Sequence, residues 1–312
     1  MHIFTRIAAV LALVAAGLAA CCFLAPVSST YALVNLERWS AGLERKQVTL
    51  ADGLTFVYLE GGQGEPLVLL HGFGVNKDTF TRVAKHLTSR YRVIIPDLIG
   101  FGESSRPADA HYDMSAQSER VSRFLQAVHA SPAHLGGSSM GGQIALACAQ
   151  THPEDVHSLW LLDASGVVSG PHSALELRLV QGKNPLLPTT QEEFDALFEL
   201  AFTHRPFVPS FVRRVFAQEQ IGRHALEERI FKECWRPDAK DPLVTNVAVP
   251  TLIVWGQEDR VIHPGKGSIL HGLLPRSALI VMPGVGHAPM IEAPAQCAAD
   301  YLRFRANPPR AQ

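Results

Sequence analysis

The sequence predicts an α/β fold: a mostly parallel, eight-stranded sheet with helices on both faces and a helical lid insertion. Three observations predict it. Short apolar runs of strand length alternate with segments of helical periodicity, which places a parallel sheet between helices. The run Gly136-Gly137-Ser138-Ser139-Met140-Gly141-Gly142 contains Gly-x-Ser-x-Gly between a buried strand and a helix. Ser139, Asp259 and His287 each follow a predicted strand, in that chain order.

The elements follow in order. Val48-Thr49-Leu50, Asp52-Gly53 and Thr55 to Leu59 read as a hairpin. Pro66 to Leu70 is a central strand that ends at His71-Gly72. Phe80, Val83, Ala84 and Leu87 have helical spacing. Tyr91 to Ile95 is the next strand, and Val121, Phe124, Leu125 and Val128 mark one face of a helix. Ala133-His134-Leu135 leads into the serine turn, Gln143 to Ala147 is helical, and Ser158 to Leu162 is a sixth strand. The sheet resumes with Thr251 to Trp255 and Ala278 to Met282, and Pro294 to Ala306 closes the chain as a helix.

The alternation breaks at about Ser165, and residues 165–245 read as a helical lid. Thr190 with Glu193 predicts a capping box. Phe194, Leu197, Phe198, Ala201 and Phe202 follow as an apolar stripe. A second cluster holds Phe207, Val208, Phe211, Val212, Val215 and Phe216. The core is then 47–164 and 246–312.

Composition limits the function. The chain has 312 residues, 47% of them hydrophobic, enough for one large domain with an insertion or two small domains. A net charge of −1 offers no footprint for nucleic acid. HExxH and CxxC are absent, so no metal site and no cofactor are expected. Cys21 and Cys22 sit in the apolar N-terminus, and Cys148, Cys234 and Cys297 are scattered, so no disulfide framework is expected.

Ile7 to Val27 carries no charge and follows Arg6. As a helix it is about 30 Å long, enough to cross a bilayer. Residues 1–27 are therefore expected to be an uncleaved signal anchor. A cleaved signal is the first alternative. A lipoprotein signal, from Leu18-Ala19-Ala20-Cys21, is the second, but Phe23 to Val27 stays apolar after the cysteine. Residues 28–46 are expected to form a juxtamembrane helix, with Tyr31 and Trp39 at the headgroups and Leu33, Leu36 and Leu43 on an interfacial face. The catalytic domain then faces the periplasm or exterior. Ala8, Ala12, Ala16 and Ala20 form a small-residue stripe that allows a homodimer through this helix.

Ligands of an open α/β sheet bind at the carboxyl ends of its strands. There Ser139 is placed to attack an acyl carbon, and His287 to take its proton and return it to the leaving group. Asp259 holds the imidazole in the right tautomer. Met140 N–H and Phe73 N–H are the candidate oxyanion donors, each contributing about 3 kcal/mol. Gly72, Phe73, Met140 and Met290, with the lid aromatics, are candidates to bind the substrate. Glu258 and Asp163 are alternative acids. His71 is read as orienting the glycine turn, and Asp97 as bracing loops.

Residues from about 47 to 306 resemble the α/β-hydrolase superfamily. The resemblance is carried by His71-Gly72-Phe73-Gly74, Pro96-Asp97-Leu98-Ile99-Gly100-Phe101-Gly102-Glu103-Ser104, the serine turn, Trp255-Gly256-Gln257-Glu258-Asp259 and Gly286-His287. Within it, the chain is most similar to membrane-anchored monoacylglycerol lipases and bacterial phospholipases A. That match rests on the N-terminal segment, Ser139-Met140-Gly141-Gly142-Gln143 and Asn184-Pro185-Leu186-Leu187-Pro188-Thr189-Thr190. The resemblance implies a serine ester hydrolase acting on lipids at a membrane. The alternative is a hydrolase of small soluble esters, or of carbon–carbon bonds in aromatic ring-cleavage products.

Overall fold

The computed structural model describes residues 4, 6–7, 22–235 and 247–309. Most of the expected anchor, its alanine stripe, Cys21 and the end of the expected lid lie outside them. Among the described residues no helix is long and apolar enough to cross a membrane.

Eight strands form one sheet: β1 (Glu44–Thr49), β2 (Thr55–Gly61), β3 (Glu65–Leu70), β4 (Tyr91–Pro96), β5 (Ala133–Ser138), β6 (Val156–Leu162), β7 (Thr251–Gly256) and β8 (Ser277–Met282). Their order is β1-β2-β4-β3-β5-β6-β7-β8. β2 runs antiparallel to β1 and β4, and all other pairs are parallel. β3 shows why its sequence is continuously apolar. Leu67 and Leu69 enter one core cluster and Val68 and Leu70 the other, because strand side chains alternate between two covered faces. β4 lies on one side of β3 and β5 on the other, so a crevice opens at their carboxyl ends.

The helices are α1 (Pro26–Ser40), α2 (Thr81–Ala84), α3 (Met114–Ala127), α4 (Met140–Thr151), α5 (Ala174–Val180), α6 (Gln191–Ala201), α7 (Ser210–Gly222), α8 (His224–Cys234), α9 (Gly265–Leu273), α10 (Pro289–Glu292) and α11 (Pro294–Ala306). A 3₁₀ turn at Lys77–Phe80 leads into α2. The glycine-rich α9 is an element that periodicity does not predict.

The expected helix over 28–46 is corrected. α1 stops at Ser40, and residues 44–49 pair with β2 as an edge strand. Leu43 is buried in the core, whereas Leu33, Leu36 and Trp39 are exposed. α1 is docked on the domain by a paired contact: Arg38 Nε and Nη2 donate to Asp78 Oδ1 and Oδ2 at 2.6 and 2.7 Å. Tyr31 Oη donates to Glu219 on α7 at 2.5 Å.

Helices α5–α8 lie between β6 and β7. Ser173 and Glu176 form a full capping box at α5. The box expected at α6 is half formed. Thr190 accepts from Glu193 N at 3.2 Å, but Glu193 Oε2 accepts from Thr189 N at 2.7 Å instead of returning to Thr190. Lys266 on α9 pairs with Glu176 and donates to Val167 O at 3.0 Å, which ties α5 to the core.

Candidate active site

Ser139 sits between β5 and α4 with φ +53° and ψ −120°. A side chain rarely holds this backbone conformation, and the hydroxyl is carried clear of the sheet. Its amide donates to Leu162 O at 2.9 Å, and its carbonyl accepts from Ser165 N at 3.0 Å. The flanking glycines are required by space. A Cβ at Gly137 would lie 2.2 Å from Gly141 O, and one at Gly141 would lie 2.1 Å from Leu70 O. Ser138 is buried.

His287 and Asp259 come from loops after β8 and β7 and meet directly. His287 Nδ1 lies 2.7 Å from Asp259 Oδ2. The buried carboxylate takes the ring N–H there and leaves Nε2 as the acceptor. Asp259 Oδ1 accepts from Val261 N at 2.7 Å and from Ile262 N at 3.0 Å. Glu258, an alternative acid, is exposed. Asp163, the other alternative, bonds Gly256 N at 2.8 Å through Oδ1. Among the described residues no hydrogen bond joins Ser139 Oγ to His287.

Phe73, Ser139 and Met140 line one cavity of about 580 Å³. Among the described residues no hydrogen bond engages Phe73 N–H or Met140 N–H. Met140 opens α4, so its amide has no partner within the helix. Gly72 packs on the serine: a Cβ there would lie 3.3 Å from Ser139 Cβ and 3.9 Å from Oγ. Met290 is corrected. It is 2% exposed within the core cluster on the other face of the sheet, and it does not line the cavity.

Much of the cavity wall comes from residues outside the motifs, with Leu186 of the 184–190 segment among the exceptions. Leu175, Leu179 and Leu186 from the lid face Val261 and Ile262 from the Asp259 loop. Phe231 and Trp235 are the lid aromatics present, and neither aromatic stripe contributes to the wall. The stripe residues pack elsewhere, as Phe198 does on Phe202 with ring centroids 4.6 Å apart. Helical spacing reports that a residue has an apolar neighbour, not which neighbour.

His71 and Asp97 organise the turns that follow β3 and β4. His71 Nδ1 lies 2.7 Å from Gly72 O and donates to it, while Nε2 accepts from Leu98 N at 3.0 Å. Burial pushes the His71 pKa down, which keeps the ring neutral. Asp97 accepts from Lys77 N, Lys77 Nζ and Glu103 N at 2.8, 2.7 and 2.7 Å.

Three groups of His, Asp and Glu side chains cluster among the described residues, and one is Asp163, Asp259 and His287. That group is occupied by its own hydrogen bonds at Asp259.

The alpha/beta hydrolase fold family matches residues 65–294. Lipase 1 of Psychrobacter immobilis is 41% identical over 285 residues, covering 89% of each chain. Monoacylglycerol lipase ABHD6 of Mus musculus is 27% identical, covering 79% of this chain and 77% of its own. The crystal structure of a membrane phospholipase A, described as a bacterial virulence factor, superposes with a TM-score of 0.87 at 36% identity over 98% of both chains. With this match and a relative at 41% identity, the chain belongs to the alpha/beta hydrolase fold family and is a carboxylic ester hydrolase.

Proposed function

We propose that the chain is a membrane-anchored serine lipase or phospholipase A that cleaves acyl esters of monoacylglycerols or glycerophospholipids through an acyl-enzyme on Ser139. The observation that carries this reading is the cavity beside Ser139, walled mostly by aliphatic and aromatic side chains. An apolar cavity of this size buries an acyl chain, whose transfer from water is favourable by about 0.8 kcal/mol per methylene.

The steps follow from the chemistry of the residues. Ser139 Oγ attacks the ester carbonyl while His287 Nε2 takes the hydroxyl proton. The carbonyl oxygen becomes negative and is held by Phe73 N–H and Met140 N–H. Asp259 steadies the imidazolium through Nδ1. Collapse breaks the bond to the alcohol, which leaves with the proton from His287. Water then repeats the sequence on the acyl-enzyme and releases the fatty acid.

The uncharged stretch Ile7–Val27 supports the anchor, and Phe23 and Leu24 within it and Leu36 and Trp39 after it are exposed. The likeness to a membrane phospholipase A points the same way. With Arg6 inside, the enzyme domain faces outward. The stripe Ala8, Ala12, Ala16 and Ala20 supports a homodimer through the same helix.

The test is hydrolysis of monoacylglycerol micelles and glycerophospholipid vesicles by the purified full-length protein, with Ser139→Ala as the control. Release of fatty acid by the unmutated protein alone is expected. No turnover of any acyl ester overturns the reading. A rate that peaks on short soluble esters and ignores micelles overturns the lipid assignment.

A further inference from the structure

The chemistry above uses one carboxylate and leaves a second, fully buried, beside it. Asp163 follows β6 with φ +45° and is 0% exposed. Its Oδ1 accepts from Gly256 N at 2.8 Å. Its other oxygen, Oδ2, has no hydrogen-bond donor. A carboxyl oxygen of Asp163, one of Asp259 and a ring nitrogen of His287 all lie within 4.8 Å of one another.

Two ionised carboxylates do not share a dry pocket at this spacing, so one of them holds a proton. The donors decide which. Three N–H groups serve Asp259, from Val261, Ile262 and His287, and stabilise its charged form. One serves Asp163. A bare Oδ2 there is a costly buried acceptor, whereas a protonated Oδ2 is a donor with Asp259 beside it.

We propose that Asp163 is a neutral carboxylic acid whose Oδ2–H hydrogen-bonds to Asp259, making it a positioning residue that holds the Asp259 carboxylate and limits the charge felt by His287. The proposal rests on the triad reading above. Burial pushes the Asp163 carboxyl well above its ordinary range, and the charges of Asp259 and Glu292 push it further. The titratable groups facing it are Asp259, His287, Glu292 on α10 and Cys297 on α11. Glu292 is occupied by Gly286, Thr203 and His204 N–H groups, and burial keeps the Cys297 thiol neutral. None of these four is a permanent cation that would hold Asp163 ionised. A single shared negative charge lets His287 accept the Ser139 proton and still surrender it to the leaving alcohol. A second charge would retain it.

Two variants and two readouts test this. Asp163→Asn keeps a donor toward Asp259 and an acceptor for Gly256 N, and Asp163→Ala keeps neither. Infrared difference spectra of wild type against Asp163→Asn at neutral pH should show the C=O band of a protonated carboxyl, with no need for turnover. On a soluble p-nitrophenyl ester, Asp163→Asn should stay within about threefold of wild type in kcat/KM with its acid limb unmoved. Asp163→Ala should fall about tenfold, with the acid limb moved to higher pH as Asp259 tightens its hold on the imidazolium. An absent band overturns the proposal. So does a loss of about a hundredfold in Asp163→Asn at unchanged melting temperature, which marks a working carboxylate. An Asp163→Ala that melts earlier with an unmoved acid limb marks packing alone, and also overturns it. Should the triad reading itself fail, a fluorophosphonate leaves Ser139 unlabelled while the infrared band still reports the Asp163 proton.

Discussion

The backbone N–H of His287 donates to the carbonyl oxygen of Ala201 at 2.8 Å, so the loop carrying His287 hangs from the last turn of lid helix α6. Glu292 strengthens the tie, with Oε1 accepting from Gly286 N at 2.9 Å and Oε2 from Thr203 N and His204 N at 3.0 and 2.7 Å. On the acid side Arg260, next to Asp259, donates to Phe202 O at 3.0 Å and also to Glu199 O. The lid therefore holds both the His287 and the Asp259 loops. Glu292→Ala removes a charged acceptor from three N–H groups, and kcat should fall about tenfold with KM little changed. Steady-state kinetics on a soluble ester check this. A loss confined to KM would place the effect on substrate binding instead.

Ser139 holds a strained backbone at φ +53°. Glycine adopts φ +53° freely, so Ser139→Gly should abolish turnover and raise stability by about 1 kcal/mol. For a chain of this length that is roughly 2 °C in melting temperature, measurable by scanning calorimetry. A lower melting temperature would show that the serine side chain stabilises the turn.

Leu179 on α5 is part of the cavity wall. Leu179→Trp fills space where the acyl chain is proposed to lie. Turnover of long-chain esters should fall about tenfold, while short-chain esters stay within about threefold of wild type. Comparing p-nitrophenyl butyrate with p-nitrophenyl palmitate checks it, and an equal loss on both would move the acyl chain elsewhere.

The Lys266–Glu176 pair is buried, with 2% and 10% of the side chains exposed. Lys266→Met leaves Glu176 as an uncompensated buried charge and should cost about 3–5 kcal/mol. Adding Glu176→Leu should recover part of that loss, because the orphan charge goes with it. Denaturant unfolding of the single and double variants measures both.

Asp163 also predicts how stability depends on pH. Its folded pKa is raised, so below the ordinary carboxyl range near pH 4 both folded and unfolded chains hold the proton. As pH rises toward the folded pKa only the native state holds it, and this contribution to stability is lost. Asp163→Asn has no such proton. Its melting temperature relative to wild type should therefore rise between about pH 5 and pH 8. A constant difference would mean that Asp163 does not titrate differently on folding.

The legible parts of this protein are local ones. The carboxyl halves of β3, β4, β6 and β7 are buried on both faces, so residues 67–70, 93–95, 159–162 and 252–255 are continuous apolar runs. The glycines around Ser139 are legible because no other residue fits where helix and strand approach so closely. β1 was not legible over its first residues. Glu44 to Gln47 are all exposed, so no alternation marks an edge strand that pairs on one side only. The aromatic stripes show the reverse failure, with a clear helical signal but no indication of which surface each ring meets.

By itself the sequence determined the strand–helix alternation, the serine turn and the order of Ser139, Asp259 and His287, since each is written in neighbouring residues. It left three acids competing for His287. Only the tertiary structure separates them in space: Asp259 lies 2.7 Å from the imidazole, Glu258 faces solvent, and Asp163 is buried with Oδ1 on Gly256 N. It likewise took Met290 from the cavity to the core and gave the wall to Leu175, Leu179 and Ile262. The physical reason is common to both. The direction of a side chain and the field around a carboxyl depend on elements far apart in the chain, and these meet only when the sheet and lid have folded together.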